Sequence, residues 1–171
     1  MKLNKKGFTL VELLAVIVVL AVIMVIAIPT VIDSMNSAKK SAFVMYGQKM
    51  ITAAMSKAQG DALDGKPVQS AYSFKDLAKS TGQYTGYVAV NGDNYTVYFY
   101  NSDYAASARS YDQLEAWKKT TCNEEQLNAE CLAVAPAGNK NYQSDTAGDK
   151  TLYSQRVTEI DSYITENGLT K

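Results

Sequence analysis

The chain has 171 residues with 17 basic and 17 acidic side chains, no histidine and a formal net charge of zero. This length fits one modest domain, and the charge balance argues against nucleic acid as a main partner, because phosphate neutralisation needs a basic footprint. Without histidine there is no Ser-His or Cys-His pair and no histidine-containing metal pattern; Gly-rich phosphate loops and paired-cysteine zinc spacing are missing too, so no catalytic residue, metal or cofactor is assigned.

In chain order, residues 1–7 form a short leader carrying Lys2, Lys5 and Lys6, and an apolar run follows in which only Thr9 and Glu12 are polar between Phe8 and Ile28. As a helix this run is roughly 30 Å long, the thickness of a bilayer core. The lysines hold the N-terminus in the cytoplasm and the remainder is exported. An ordinary secretory signal has a shorter apolar region and is removed entirely. Glu12 does not fit a passive anchor. Insertion scales charge about 2.5–3.5 kcal/mol for a carboxylate at the centre of a membrane helix, and less near the headgroups. Dipole complementarity at a first helical turn returns only about 0.3–1 kcal/mol. A specific partner for Glu12 is the more economical account. An uncleaved signal anchor explains the rest, but neither Glu12 nor the Gly7-Phe8 junction.

The stretch Gly7-Phe8-Thr9-Leu10-Val11-Glu12 resembles the cleavage and assembly motif of type IV pilins and pseudopilins. The resemblance implies that a prepilin peptidase cuts between Gly7 and Phe8 and methylates the new amine of Phe8. It implies that Glu12, the fifth mature residue, pairs with the N-terminal amine of a neighbouring subunit. Pro29 falls where the family commonly has a proline, just past the membrane-embedded part. The implied partners are copies of the chain in a helical filament, the prepilin peptidase, the assembly platform protein with its ATPase machinery, and membrane lipid before assembly. The implied location is the bacterial cytoplasmic membrane for the precursor, then a pilus on the cell surface. The motif lies within the first third of the chain, and no family signature is visible beyond it.

After Pro29 the pattern stays helical and becomes amphipathic. Val31, Met35, Ala38, Ala42 and Met45 recur at spacings of three and four, with Phe43, Tyr46, Met50 and Ala53 as a neighbouring stripe. The expected organisation is a leader at 1–7, one long helix at 8–58 bent near Pro29, with 8–28 in the membrane or filament core, and a head at 59–171. The apolar stripe, methionines included, should pack on the head, with Gly47 weakening the helix slightly. Gln59-Gly60-Asp61 begins the turn-rich connection that ends the helix.

Within the head, Ser73-Phe74-Lys75-Asp76-Leu77 reads as a capped short helix. Tyr84–Val90 and Tyr95–Asn101, joined by Asn91-Gly92-Asp93-Asn94, make the best hairpin. Ser110 opens a helix through Lys119, with Leu114 and Trp117 three apart; Trp117, the only tryptophan, reads as a partly buried anchor of this helix, with ligand contact as the alternative. Ala133–Lys150 reads as an irregular exposed loop. Leu152 to Glu166 carries Val157, Ile160 and Ile164 at helical spacing and stops at Asn167-Gly168, with a strand as competitor. The fold class is α+β: a long N-terminal helix packed on a small antiparallel sheet with short accessory helices. Only two strands are convincing, fewer than a pilin head usually has.

Cys122 and Cys131, the only cysteines, lie in the exported part and read as one disulfide, with free thiols as the alternative. A straight helix between them would separate the Cα atoms by about 13 Å, beyond the roughly 7 Å limit for bridging, so a bridge requires the segment to turn back. The functional expectation is a structural pilus subunit. A minor pilin or pseudopilin serving secretion or DNA uptake is the alternative within the family. An anchored ligand-binding ectodomain is the alternative outside it.

Overall fold

The structure is a computed structural model that describes residues 9–78, 82–120, 134–137 and 152–170. The chain divides into two compact units, Met1–Lys39 and Lys40–Lys171. Helix α1, Leu10–Leu63, contributes to both. In the first unit the described residues are helical from Leu10 onward, and their large apolar side chains are exposed throughout.

The second unit is built on a sheet. Strands β1 (Ala71–Ser73), β2 (Thr85–Asn91), β3 (Asn94–Tyr100), β4 (Tyr104–Arg109) and β5 (Val134–Pro136) lie in the order β1-β2-β3-β4-β5. Every neighbouring pair is antiparallel. Helix α2 (Phe74–Ala78) follows β1, α3 (Tyr111–Lys119) follows β4, and α4 (Leu152–Glu166) comes last. The α+β architecture is therefore as expected, with more strands than the sequence suggested.

The alternation of the strands sorts the core into two layers. Val88, Val97, Phe99 and Ala106 pack with Phe43, Val44, Met50, Ile51, Ala54 and Ala58 of α1 and with Leu114 and Trp117 of α3. On the other face Ala71 and Tyr87 pack with Ile160 and Ile164 of α4, and Tyr98, Tyr100 and Tyr163 border that cluster. Phe43 stacks on Phe99 at 4.1 Å between ring centroids, and Trp117 meets Phe43 edge-on at 6.1 Å. Trp117 is thus the buried anchor of α3. Lys40 Nζ lies 4.5 Å from its ring centroid and donates to the Thr120 carbonyl at 2.6 Å.

Three sequence expectations need correction. The stripe of Val31, Met35, Ala38, Ala42 and Met45 is exposed, with Val31 at 55%, Met35 at 56% and Met45 at 64%. The neighbouring stripe is the covered one: Phe43 and Met50 are buried and Tyr46 packs against the core, and the buried face continues through Gly47, Ala54 and Ala58, with Val44 and Ile51 beside it. Both stripes have helical period, and period alone does not say which one the sheet covers. The helix also passes the expected end near residue 58 and runs through Gly60 to Leu63. It ends at Gly65, whose φ of +71° lets its N–H reach the Ala62 carbonyl while Lys66 N–H reaches Asp61. That is a Schellman cap, and only glycine adopts its φ freely. Finally, β1, β4 and β5 were not foreseen, and β5 occupies part of the stretch read as an irregular loop.

The local signals hold. The β2–β3 hairpin pairs Asn91 with Asn94 across Gly92-Asp93, and Gly92 has φ +60°, the sign a type II′ turn needs at its first central residue. Ser110 caps α3 in a capping box with Gln113. Helix α4 ends as α1 does: Gly168 (φ +62°) donates to Thr165, and Leu169 N–H donates to Ile164 at 2.9 Å.

Candidate functional site

The candidate site is the start of α1. Thr9 stands just before the first helical residue, and Glu12 is the third residue of the helix. The Glu12 carboxylate folds back onto Thr9. Its Oε2 accepts the Thr9 backbone N–H at 2.8 Å and the Thr9 hydroxyl at 2.8 Å. In return the Glu12 N–H donates to the Thr9 hydroxyl oxygen at 3.3 Å. This is a reciprocal Thr-x-x-Glu capping box, which satisfies helix-end donors that no preceding turn can serve. Both Thr9 bonds use Oε2, and Oε1 has no partner among the described residues.

Around this polar pair the helix surface is hydrocarbon. Leu10 is 80% exposed, and every large apolar side chain from Val11 to Ile28 is about half exposed or more. A contiguous apolar surface of this size is stable only in lipid or against other protein. By length and composition α1 is able to cross a membrane. Glu12 is the one ionisable group in residues 10–28. Its exposure among apolar neighbours makes it a functional candidate by the cost argument alone.

Pro29 lies inside α1, and the helical assignment continues through it. Its missing N–H leaves the Val25 carbonyl without its usual donor. Just beyond, the Thr30 hydroxyl donates to the Ala27 carbonyl at 2.8 Å and the Ser34 hydroxyl to the Thr30 carbonyl at 2.9 Å. Side-chain hydroxyls thus add bonds to the turn that proline weakens.

Of the residues singled out from sequence, Glu12 and Pro29 are described, and they stand far apart along one helix. Gly7, Phe8, Cys122 and Cys131 lie outside the described residues, as does most of 133–150. Thr9, which no sequence expectation names as a site residue, joins Glu12 in the site. Its signal was present, since threonine followed three residues later by glutamate ahead of an apolar run is the capping-box pattern.

A family model described as the prokaryotic N-terminal methylation motif, the type IV pilin signal, matches residues 2–28. No curated protein and no solved structure matches the chain. The matched residues hold both the capped carboxylate and the exposed apolar helix. The second unit supplies the small antiparallel sheet and short helices of a pilin head. The chain thus joins a type IV pilin-like methylation motif to a pilin-like α+β architecture.

Proposed function

We propose that this chain is a structural subunit of a type IV pilus. It is inserted in the cytoplasmic membrane, cut between Gly7 and Phe8 by prepilin peptidase, methylated on the Phe8 amine and polymerised into an extracellular helical filament. The observation that carries this reading is one carboxylate, Glu12, on an exposed apolar helix that bears the methylation motif. Residues 8–28 of neighbouring subunits would replace lipid with one another. Such a contact between two different surfaces does not close on itself, so it propagates as a filament.

The capping box gives the carboxylate a place to wait. In the membrane, Thr9 supplies two hydrogen bonds to Oε2, which lowers the cost of carrying a charge there. Oε1 is left for the amine that cleavage creates on the next subunit. Glu12 is then both a register device and an assembly trigger. The family's assembly platform and ATPase would extract the subunit, and Pro29 would supply the bend at the membrane boundary.

The test is an intact mass of the protein recovered from a sheared cell-surface fraction. Loss of residues 1–7 with one added methyl group is expected. Glu12→Ala and Glu12→Gln should be inserted and cleaved normally yet fail to assemble efficiently. Normal piliation by either variant would sink the mechanism. Scarcity in sheared filaments, with normal processing, would point to a minor pilin or pseudopilin instead. An uncut chain confined to membranes would mean an anchored ectodomain.

A further inference from the structure

The dipeptide Asn-Gly occurs twice, at Asn91-Gly92 and Asn167-Gly168, and the fold treats the two differently. Asn167 is locked into the cap of α4. Its side-chain amide donates to the Tyr163 carbonyl at 2.9 Å. Its backbone N–H donates to the same carbonyl at 3.1 Å, and the Gly168 N–H donates to Thr165. The carboxamide and the nitrogen that follows it are both engaged.

Asn91-Gly92 stands at the end of the β2–β3 hairpin, where residues 91–94 are all exposed. A Cβ built on Gly92 would meet nothing within 4 Å. Neither the Asn91 carboxamide nor the Gly92 N–H makes a hydrogen bond among the described residues. Among the described residues the pairing that restrains it is the last rung of the ladder, Asn91 with Asn94. Such a rung opens by local fraying and does not require global unfolding.

We infer that Asn91 is a site of spontaneous deamidation on the head. The Gly92 nitrogen attacks Asn91 Cγ, an N–Cγ bond forms and the Cγ–Nδ2 bond breaks. The amide proton of Gly92 leaves with the Asn91 NH2 as ammonia, giving a five-membered succinimide. Water then opens either carbonyl of the ring, producing aspartate or isoaspartate. No oxidant or enzyme enters the balance. Glycine suits the second position because it has no Cβ to crowd its nitrogen.

The consequence is electrostatic and structural together. Each conversion adds one negative charge next to Asp93 in a chain whose formal charge is zero. The isoaspartyl product also routes the main chain through Cγ, which lengthens the two-residue turn and strains the Asn91–Asn94 pairing. An aged subunit would carry a loosened, acidic hairpin tip.

The full-length chain in detergent micelles should be held at mildly alkaline pH in heavy-oxygen water, digested and followed by mass spectrometry. Asn91 should convert with uptake of heavy oxygen and yield two resolved isomers. Asn167 should convert roughly tenfold more slowly, since cap hydrogen bonds must open first. In denaturant the two rates should converge. Native rates that are equal, or faster at Asn167, would overturn the inference, as would an Asn91 inert in the native chain but reactive in denaturant. Asn91→Ser should abolish the acidic isoform on isoelectric focusing, and its persistence in that variant would also overturn the assignment.

Discussion

Two carboxylates on one helix, Glu12 and Asp61, do different work because their surroundings differ. Among the described residues, Thr9 alone holds Glu12. Thr9→Ala should remove the hydroxyl bond to Oε2 and the Glu12 N–H bond to the hydroxyl, leaving the backbone N–H bond to Oε2, and cost about 0.5–2 kcal/mol of local helix stability, whereas Thr9→Ser should keep most of it. Amide exchange in the first turn of α1, measured in micelles, reads this directly: faster in the alanine variant, near normal in the serine variant. Asp61 is only 7% exposed and accepts from Lys57 Nζ at 3.1 Å and from the Tyr72 hydroxyl at 3.0 Å. The Lys57 hydrogen bond, helped by Tyr72, holds the Asp61 carboxyl below its usual range against the opposing effect of burial. A depressed carboxylate contributes stability that is present above its unfolded pKa of about 3.9 and is lost as pH falls through the folded value. Melting temperature should therefore fall on acidification below about pH 4. Asp61→Asn should melt lower at neutral pH and show a shallower acid slope. An unchanged slope in that variant would remove Asp61 from the account.

At the scale of elements, Gly47 shows what the sequence withholds. Read locally it is a mild helix weakener. In the fold it lets α1 lie close against the sheet and α3. A Cβ there would lie 2.8 Å from Leu114 Cδ1 and 2.8 Å from Phe99 Cζ. Gly47→Ala should gain up to about 1 kcal/mol of helix propensity and lose about 1–3 kcal/mol to overpacking, a net destabilisation. The midpoint of urea unfolding checks the sign, and an increase would mean that Phe99 and Leu114 yield easily. The same contrast explains which elements were legible. The β2–β3 hairpin, the Ser110 cap and the glycine stop of α4 are signalled by residues a few positions apart. Strand β4 is Tyr-Ala-Ala-Ser-Ala-Arg, with no large apolar alternation to give it away. Its Ala105 and Ala106 are fully buried because neighbouring elements close over them. It is also irregular, since its register against β3 shifts between Val97 and Phe99, and Ala108 takes φ +50°. Strands β1 and β5 span three residues each, too few for a period to register. At the candidate site, Glu12 was legible from its cost in an apolar run, while Thr9 needed the geometry that shows where its hydroxyl and N–H go.

At the scale of the whole molecule, the two units have different requirements for stability. The first exposes its apolar surface along a single helix, and none of its described residues is buried. The second has two packed layers, and the buried residues of α1 begin only at Phe43. A chain consisting of residues 40–171 therefore keeps every buried side chain of α1, together with the Lys40 contact to Trp117. It should stay soluble without detergent and unfold cooperatively, with the single tryptophan as its fluorescent reporter. Starting eight residues later, at 48, removes Phe43 and Val44, both fully buried, and the close approach at Gly47. Loss of a core phenylalanine alone costs about 3–5 kcal/mol, which is most of the stability of a marginal domain. The shorter chain should show no folded baseline in thermal melts followed by circular dichroism. If it melts as the longer one does, Phe43 and Val44 do not carry the stability their burial assigns them. If the 40–171 chain itself fails to fold, residues before Lys40 must contribute to the head, and the apolar helix is more than an anchor.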